Sequence, residues 1–521
     1  MKKYIKSRKI RYGSVAIVLT LLILAATVMV NVILSMLGSR YQWMYVDMNS
    51  YPVYDISEDC EEYLSEYVIS RVDQVNAELT KAGKQKEKIK IIFCSDKEDI
   101  LASDDRKYIH DAVYQIDGMF PGYLEIEYLN IWENPKYAGS LGVTSDTDMV
   151  CMFGDRHETM MLSDFYVFDA ATSTPVAYNG EKIIASCLMR VTQKETPMCY
   201  LTANHGETFK DYEFMRSLVE AGYTISFLDL AESDIPEDCD LLVTFAPKQD
   251  FVVSDSVSAT SEIDKLDAYM SNGGKYMVFL SADTFASGAR ENLEGFLKKW
   301  GITYKHKTAE DGSEDIYVIK DSAHSTSIDG YSVIAEYAES GLGAELFDKK
   351  DNASNVFANT TCIEFADDFA SDGNGNYVKT VDGVKRYAYP IMQSYSSAEA
   401  WAGGRAVDRA TEDPFVLMAM ASQKCENGKT AYVVASASSE FACEDSMQSA
   451  VLGNSKTMAK LYKHLGRYNA PADLVFKTFG STEIEGLSQR NANIITILMV
   501  AIPTVACIAL GTVVLVRRKN A

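Results

Sequence analysis

Two long runs without a charged side chain, one near each end, constrain this sequence more than anything else in it. Ser14–Leu37 and Ile494–Val516 are 24 and 23 residues long and consist largely of Leu, Ile, Val and Ala. At a rise of ~1.5 Å per residue, either run is long enough as a helix to cross a ~30 Å hydrocarbon layer. Pro503 lies in the second run, and transmembrane helices tolerate proline better than soluble ones. Lys2, Lys3, Lys6, Arg8, Lys9 and Arg11 precede the first run, and Arg517, Arg518 and Lys519 follow the second, with no acid in either flank. The positive-inside rule therefore places both termini in the cytoplasm and everything between the runs outside. A cleaved signal peptide is the alternative for the first run. Its apolar core would be only ~7–15 residues long, and no small-x-small cleavage site follows here.

The overall charge hides this asymmetry. The 521 residues carry 73 acidic and 50 basic side chains, a net charge of −23. Nine of the basic residues are the flanks just named, which leaves the exported part at −32. Such a surface is soluble and does not suit nucleic acid, whose phosphates need a basic face. Nine cysteines fall in the exported part and Cys507 in the second apolar run. An odd count cannot pair completely within one chain, no C-x-x-C occurs, and contexts such as Ile91-Ile92-Phe93-Cys94 suit small buried hydrophobes. Few or no disulfides and no metal site are expected.

Between the anchors the pattern is α/β. Ser57 caps a helical pattern over Glu58–Ala82, followed by a strand at Lys88–Cys94, a helix around Arg106–Gln115 and a strand at Tyr123–Asn130. A second, clearer series begins with the strand Met198–Thr202. It continues with a helix at Tyr212–Ala221, strands at Thr224–Leu228 and Asp240–Phe245, a helix at Ser261–Met270, a strand at Lys275–Leu280 and a helix at Leu293–Trp300. Continuous apolar strands alternating with helices indicate a parallel sheet covered on both faces. Farther on, Asn376–Val381 and Val384–Tyr389 read as a hairpin on Asp382-Gly383. Phe415–Ala421 and Thr430–Ala437 read as strands joined at Asn427-Gly428, and Ser455–Leu465 as a helix. The expected fold is thus α/β, with Rossmann- or flavodoxin-like parallel-sheet modules between two transmembrane helices. Its parts are a cytoplasmic tip at 1–13, a helix at 14–37 and a first α/β domain at 45–190. A second α/β region at 195–480 (core 195–305, looser continuation 306–480), a helix at 494–516 and a tip at 517–521 complete it.

Little catalytic vocabulary is present. Asn427-Gly428-Lys429-Thr430 resembles the end of a Walker A loop, but Gln423 stands where its first glycine belongs, so a hairpin turn is expected. Asp372-Gly373-Asn374-Gly375-Asn376 has the oxygen spacing of a calcium loop but lacks its turn glycine and final glutamate. The most suggestive feature is Asn204-His205-Gly206-Glu207, just beyond the strand Met198–Thr202. In a doubly wound sheet the carboxyl ends of the strands form the ligand crevice. There His205 and Glu207 could act as an acid/base pair or hold a ligand, or Gly206 could simply turn the chain while its neighbours cap the next helix.

The residues from Glu181 to Ile225 resemble the extracytoplasmic auxiliary components of ABC transporters typified by the gliding-motility protein GldG. The likeness rests on Glu181-Lys182, Arg190-Val191-Thr192, Pro197, His205-Gly206-Glu207 and Ala221-Gly222-Tyr223. Asp229-Leu230, Ile235-Pro236, Ala246-Pro247, Leu266-Asp267-Ala268-Tyr269 and Gly273-Gly274-Lys275 extend it, and Asn134-Pro135 and Gly142-Val143 fit upstream. It departs where Asn204 replaces a customary glycine, although Asn also tolerates left-handed turns. The resemblance implies a non-catalytic auxiliary subunit without a cofactor, working in a bacterial cell envelope with a separate ATPase and a separate multi-span permease. Asn204, His205, Gly206 and Glu207 are its candidate ligand-binding residues. The rival reading is an exported hydrolase or carbohydrate-active enzyme using His205 and Glu207, with a nearby carboxylate such as Asp283. A ligand-sensing ectodomain ranks last, because the tips Met1–Gly13 and Arg517–Ala521 are too short for a signalling domain.

Overall fold

Ser57 begins the first helix as expected, its side chain accepting a hydrogen bond from Cys60 N. Helix α1 (Glu58–Tyr63) passes through one π turn (Leu64–Ile69) into α2 (Ser70–Lys81). The computed structural model describes residues 53–168, 172–207, 213–254, 261–286, 288, 290–308, 314–341, 344–345, 354–410, 413–448, 452–474 and 476–479, together with Met29. Both apolar runs lie outside the described residues, Met29 excepted. Among the described residues no helix is long and apolar enough to cross a membrane.

The first sheet follows from β1 (Ile89–Phe93), α3 (Asp104–Met119), β2 (Leu124–Tyr128), β3 (Met149–Phe153) and β4 (Arg156–Met160), in the order β2-β1-β3-β4. The parallel-module expectation needs correction here. The helix α3 crossover makes β1 and β2 parallel, whereas β3 runs antiparallel to β1 and β4 to β3. For β3 and β4 the physical reason is the two-residue connection Gly154-Asp155, too short for anything but a hairpin. Strands β5 (Tyr166–Phe168) and β6 (Pro175–Tyr178) lead into α4 (Gly180–Thr192), of which every residue but Arg190 is buried.

The second series forms as its pattern dictates: β7 (Met198–Thr202), α5 (Glu213–Glu220), β8 (Thr224–Leu228), β9 (Cys239–Phe245), α6 (Glu262–Ser271), β10 (Lys275–Phe279) and α7 (Glu291–Lys299). A fifth parallel strand comes from much farther along. After β11 (Ser332–Tyr337), β12 (Val384–Ser394) and β13 (Val416–Lys424), β14 (Thr430–Ser436) pairs in parallel with β10, and α8 (Asn454–His464) follows. The parallel block reads β8-β7-β9-β10-β14, the 2-1-3-4-5 order of a flavodoxin-like doubly wound sheet. Beyond β14 the same sheet continues antiparallel through β13, β12, β11 and Asn355–Ala358. The fold is therefore mixed α/β. Its parallel character ends at β14 because Cys425–Lys429, with Gly428 at φ 82°, closes a tight hairpin that returns the chain beside itself.

Both faces of this sheet are dry. Leu201, Val243, Met277 and Val434 pack with Phe214, Leu218 and Tyr462 on one side. Leu242, Tyr276, Val278 and Val433 pack with Leu266, Phe296 and Leu297 on the other. Alternate residues of each strand thus feed opposite cores, as the pleat requires. Residues 54–479 make up one compact unit.

Candidate functional site

Strands β7 and β9 are neighbours, yet the chain leaves β7 toward β8 on the other side. The switch point of the doubly wound sheet therefore lies at their carboxyl ends, where a crevice is expected. The four sequence-predicted residues sit there. Asn204 and Gly206 both occupy the left-handed region, with φ 75° and 74°. Asparagine thus supplies at 204 the turn for which the family resemblance would use glycine. A Cβ at Gly206 would stand 3.0 Å from Lys248 Cβ, so the close approach of the loop after β9 needs glycine. That loop is tied down by Lys248 N and Gln249 N, which donate to His205 O at 2.7 and 2.8 Å.

These alternating conformations send 204 and 206 outward and 205 and 207 inward. Asn204 hydrogen-bonds Asp229 at the end of β8. The His205 and Glu207 side chains are only 6% and 3% exposed. His205 Nδ1 lies 3.0 Å from Glu207 Oε1, and Nε2 lies 3.0 Å from Glu262 Oε2. The ring stacks on Phe251 with centroids 4.1 Å apart. Glu207 also accepts from His205 N at 2.7 Å, and Thr202 Oγ1 lies 2.9 Å from it. Glu262 accepts from Val252 N at 2.7 Å. Thr202, Thr244 and Tyr276 extend the polar chain across three strands, with Thr202 Oγ1 to Thr244 Oγ1 at 3.0 Å and Tyr276 OH to Thr244 Oγ1 at 2.8 Å.

Electrostatics fixes the protonation state. Burial pulls the His205 imidazole down, but hydrogen bonds to the Glu207 and Glu262 carboxylates outweigh it and raise it to about 9. Burial pushes Glu207 up, yet the His205 bond and the backbone and Thr202 donors together hold it below the usual glutamate value. At neutral pH both ring nitrogens carry protons and both point at carboxylates. The arrangement is a buried carboxylate–imidazolium–carboxylate bridge, without a free lone pair to accept a substrate proton.

Sequence reasoning found His205 and Glu207 but not Glu262, which is 57 positions away at the first residue of α6. Its only local signal is Ser261, whose hydroxyl caps α6 by accepting from Asp264 N at 3.0 Å. Asp283, the nearby carboxylate named for the hydrolase reading, is exposed at the start of a short helix. Arg290 was also missed. It is 1% exposed and grips three carbonyls: Pro247 O with Nε and Nη2, Thr284 O with Nη2, and Gly288 O with Nη1. It thereby ties the loop after β9 to the loop after β10. The Asn427-Gly428 motif is the hairpin turn of β13 and β14. Asp372 spends its carboxylate on Asn374 N, Asn376 N and Asn376 Nδ2, as an ordinary turn aspartate does. Among the described residues no group of three or more His, Cys, Asp or Glu side chains could hold a metal.

A doubly wound sheet with a locked switch point defines a class of domain, not an activity. Residues 191–323, which span the block from β7 to β10, match an ABC-transport auxiliary family described as "ABC-type uncharacterized transport system". The match covers about a quarter of the chain and supports an auxiliary role in an ABC transport system. No curated protein matches the chain. Solved structures similar to parts of it include the mmIFT52 N-terminal domain, with 12% identity and a TM-score of 0.36 over 51% of this chain and 96% of that one. PurLQS from Thermotoga maritima has 11% identity and a TM-score of 0.27 over 52% and 99%. Both likenesses are too remote to bear on function.

Proposed function

We propose that this protein is a GldG-like auxiliary subunit of an ABC-type transport system. It is held in the cell membrane by two helices with both termini cytoplasmic, and its α/β body is extracytoplasmic. Its role is binding or assembly, and ATP hydrolysis and substrate passage belong to a separate ATPase and a separate multi-span permease. The observation that carries this reading is the family match over 191–323, the stretch that builds four of the five strands of the parallel block. Two structural features support it. The ends of the described body lie side by side, with the rings of Tyr54 and Phe479 6.0 Å apart, as suits a body held from one side. The His205 bridge is closed on itself, which favours a loop-fixing role over acid/base chemistry. In this reading Asn204 and Gly206, the outward members of the turn, offer the ligand or partner contact. Co-purification of the full-length protein after mild detergent extraction and crosslinking should recover an ABC ATPase and a permease. Recovery of neither would sink the assignment.

A further inference from the structure

The pole of the body where its two ends meet carries an aromatic sheet face. Lys477–Thr478, at the carboxyl end of the body, pairs antiparallel with β6, and β6 pairs with β5, making a three-stranded sheet beside which Tyr54 lies. Tyr178 and Lys477 pair and so lie on one side of the sheet, and Val176 sits at the β-bulge by which Phe168 comes to face Pro175. Tyr166 lies opposite Tyr178, with ring centroids 5.6 Å apart, and Phe479 stacks over Tyr166 at 6.3 Å. Tyr54, from the other end of the body, sits 5.2 Å from Tyr178 and stacks on Tyr108 at 3.6 Å. The opposite side of the sheet, Val167 and Ala177, is buried. Tyr166 and Tyr178 are buried as well, and the exposure is at the rim: Phe168, 6.5 Å from Tyr166, is 43% exposed, and Val176 is 36% exposed.

Clustered exposed apolar groups on a soluble domain mark a contact surface. The position of the chain ends names its occupant. From Tyr54 only 16 residues lead back to Leu37, and from Phe479 only 14 lead on to Ile494. Fully extended, those segments reach about 60 and 50 Å at ~3.5 Å per residue, and both start from this one pole. Tyr41, Trp43 and Tyr45 follow the first apolar run, the residue types that gather at a membrane–water interface. We propose that this face is a lipid-contacting surface, on which Phe168 and Val176 dip into the interfacial layer of the bilayer while the tyrosine rings behind them pack the pole. The inference rests on the two-anchor reading given above. It adds a third, non-spanning contact that would fix the tilt of the body relative to the membrane.

The test uses full-length protein in zwitterionic phosphatidylcholine liposomes, in a Trp43→Phe background whose own emission, from Trp132, Trp300 and Trp401, is subtracted from that of each reporter variant. Phe168→Trp and Val176→Trp report on the face, and Phe227→Trp, at a side chain 59% exposed on strand β8, is the control. Tryptophan emission at 168 and 176 should be blue-shifted and should lose intensity when the acyl chains are brominated, whereas emission at 227 should not. If the protein floats with the liposomes after an alkaline wash but neither reporter is quenched, the lipid face is overturned and the anchors stand. Emission that is blue-shifted but unquenched would mean that protein covers the face, either another copy or an apolar run of this chain. That result also overturns the lipid assignment. If the protein fails to float, the two-anchor reading falls, and the lipid face with it.

Discussion

His205 should set the alkaline limit of this protein's stability. Its imidazolium is buried, which alone would lower its proton affinity, but the two flanking carboxylates reverse the balance and bring it to about 9 from 6.5. A group whose proton is held more tightly in the folded state stabilises that state fully below its unfolded value. The contribution is lost as pH rises through the folded value. Here the window runs from about pH 6.5 to about 9, and at ~1.4 kcal/mol per tenfold change in affinity the effect is on the order of 3 kcal/mol. Glu207, held below the usual 4.5, acts with the opposite sign, so its contribution is present above that value and fades as the solution becomes more acid. Denaturant unfolding of the full-length protein in mild detergent should therefore show stability declining between pH 6.5 and 9. His205→Gln should flatten that decline, and Glu262→Gln should shift it to lower pH. An unchanged slope in both variants would mean that the bridge does not carry the proton. The sequence exposed only half of this site. His205 and Glu207 are two residues apart, so one turn shows both, whereas Glu262 reaches the ring only because the loop after β9, bonded to His205 O and to Glu262, brings the start of α6 beside the turn after β7.

Short-range chemistry made most elements legible, and long-range pairing hid their assembly. The strand over Thr224–Leu228 has the bounds that its apolar pattern gives, because Gly222 ends the preceding helix and Asp229 ends the strand. Asp382-Gly383 and Asn427-Gly428 likewise turned where their dihedral preferences demand, with positive φ at Asp382, Gly383 and Gly428. What could not be read locally was that β14 completes the parallel block about 150 positions after β10. A run of Val and Ala carries no label for its neighbour. Helices are joined across such gaps by buried charge. Lys182 on α4 pairs with Glu220 on α5 at 2.6 Å, and their side chains are 7% and 8% exposed. Arg216 holds Glu213 at 2.8 Å and lies 3.5 Å from Glu220. Ser455 on α8 lies 3.3 Å from Lys182 Nζ, so one cation ties three helices together. Removing one member of such a pair leaves an uncompensated buried charge, at a cost of ~3–5 kcal/mol, while replacing both with apolar groups is nearly neutral. Lys182→Met should therefore destabilise by about 3 kcal/mol or more. Adding Glu220→Met should recover most of the loss, because Arg216 keeps Glu213. Additive losses in the double-mutant cycle would refute the coupling.

The whole molecule makes two further commitments. Its nine described cysteines are all free, and eight of them are buried. Burial, above all, pushes the Cys60, Cys94 and Cys239 thiols up to about 12, so almost no thiolate exists at neutral pH. These nine should resist alkylation in native protein at pH 7.5, the denatured chain should take up ten labels, Cys507 included, and the intact mass should be the same with and without reductant. A mass change on reduction would reveal a disulfide and with it a different redox history for the body. The second commitment concerns sidedness. The ends of the body meet at one pole, where Lys477 bridges Glu181 at 2.8 Å and also bonds Asp55 O. If the proposed two spans tether the body, both chain termini lie on the far side of the membrane from it. External protease added to intact spheroplasts should digest the body between residues 54 and 479 while sparing tags at both termini. If the first run were a cleaved signal, the amino-terminal tag would be missing altogether, and if only one run spanned, one tag would be removed from outside. Because basic flanks of the same sign guard both runs, neutralising Arg517, Arg518 and Lys519 should weaken retention of the carboxyl terminus inside and leave the amino-terminal tag protected. The two proposed anchors are thus separable in one experiment, each read by its own tag.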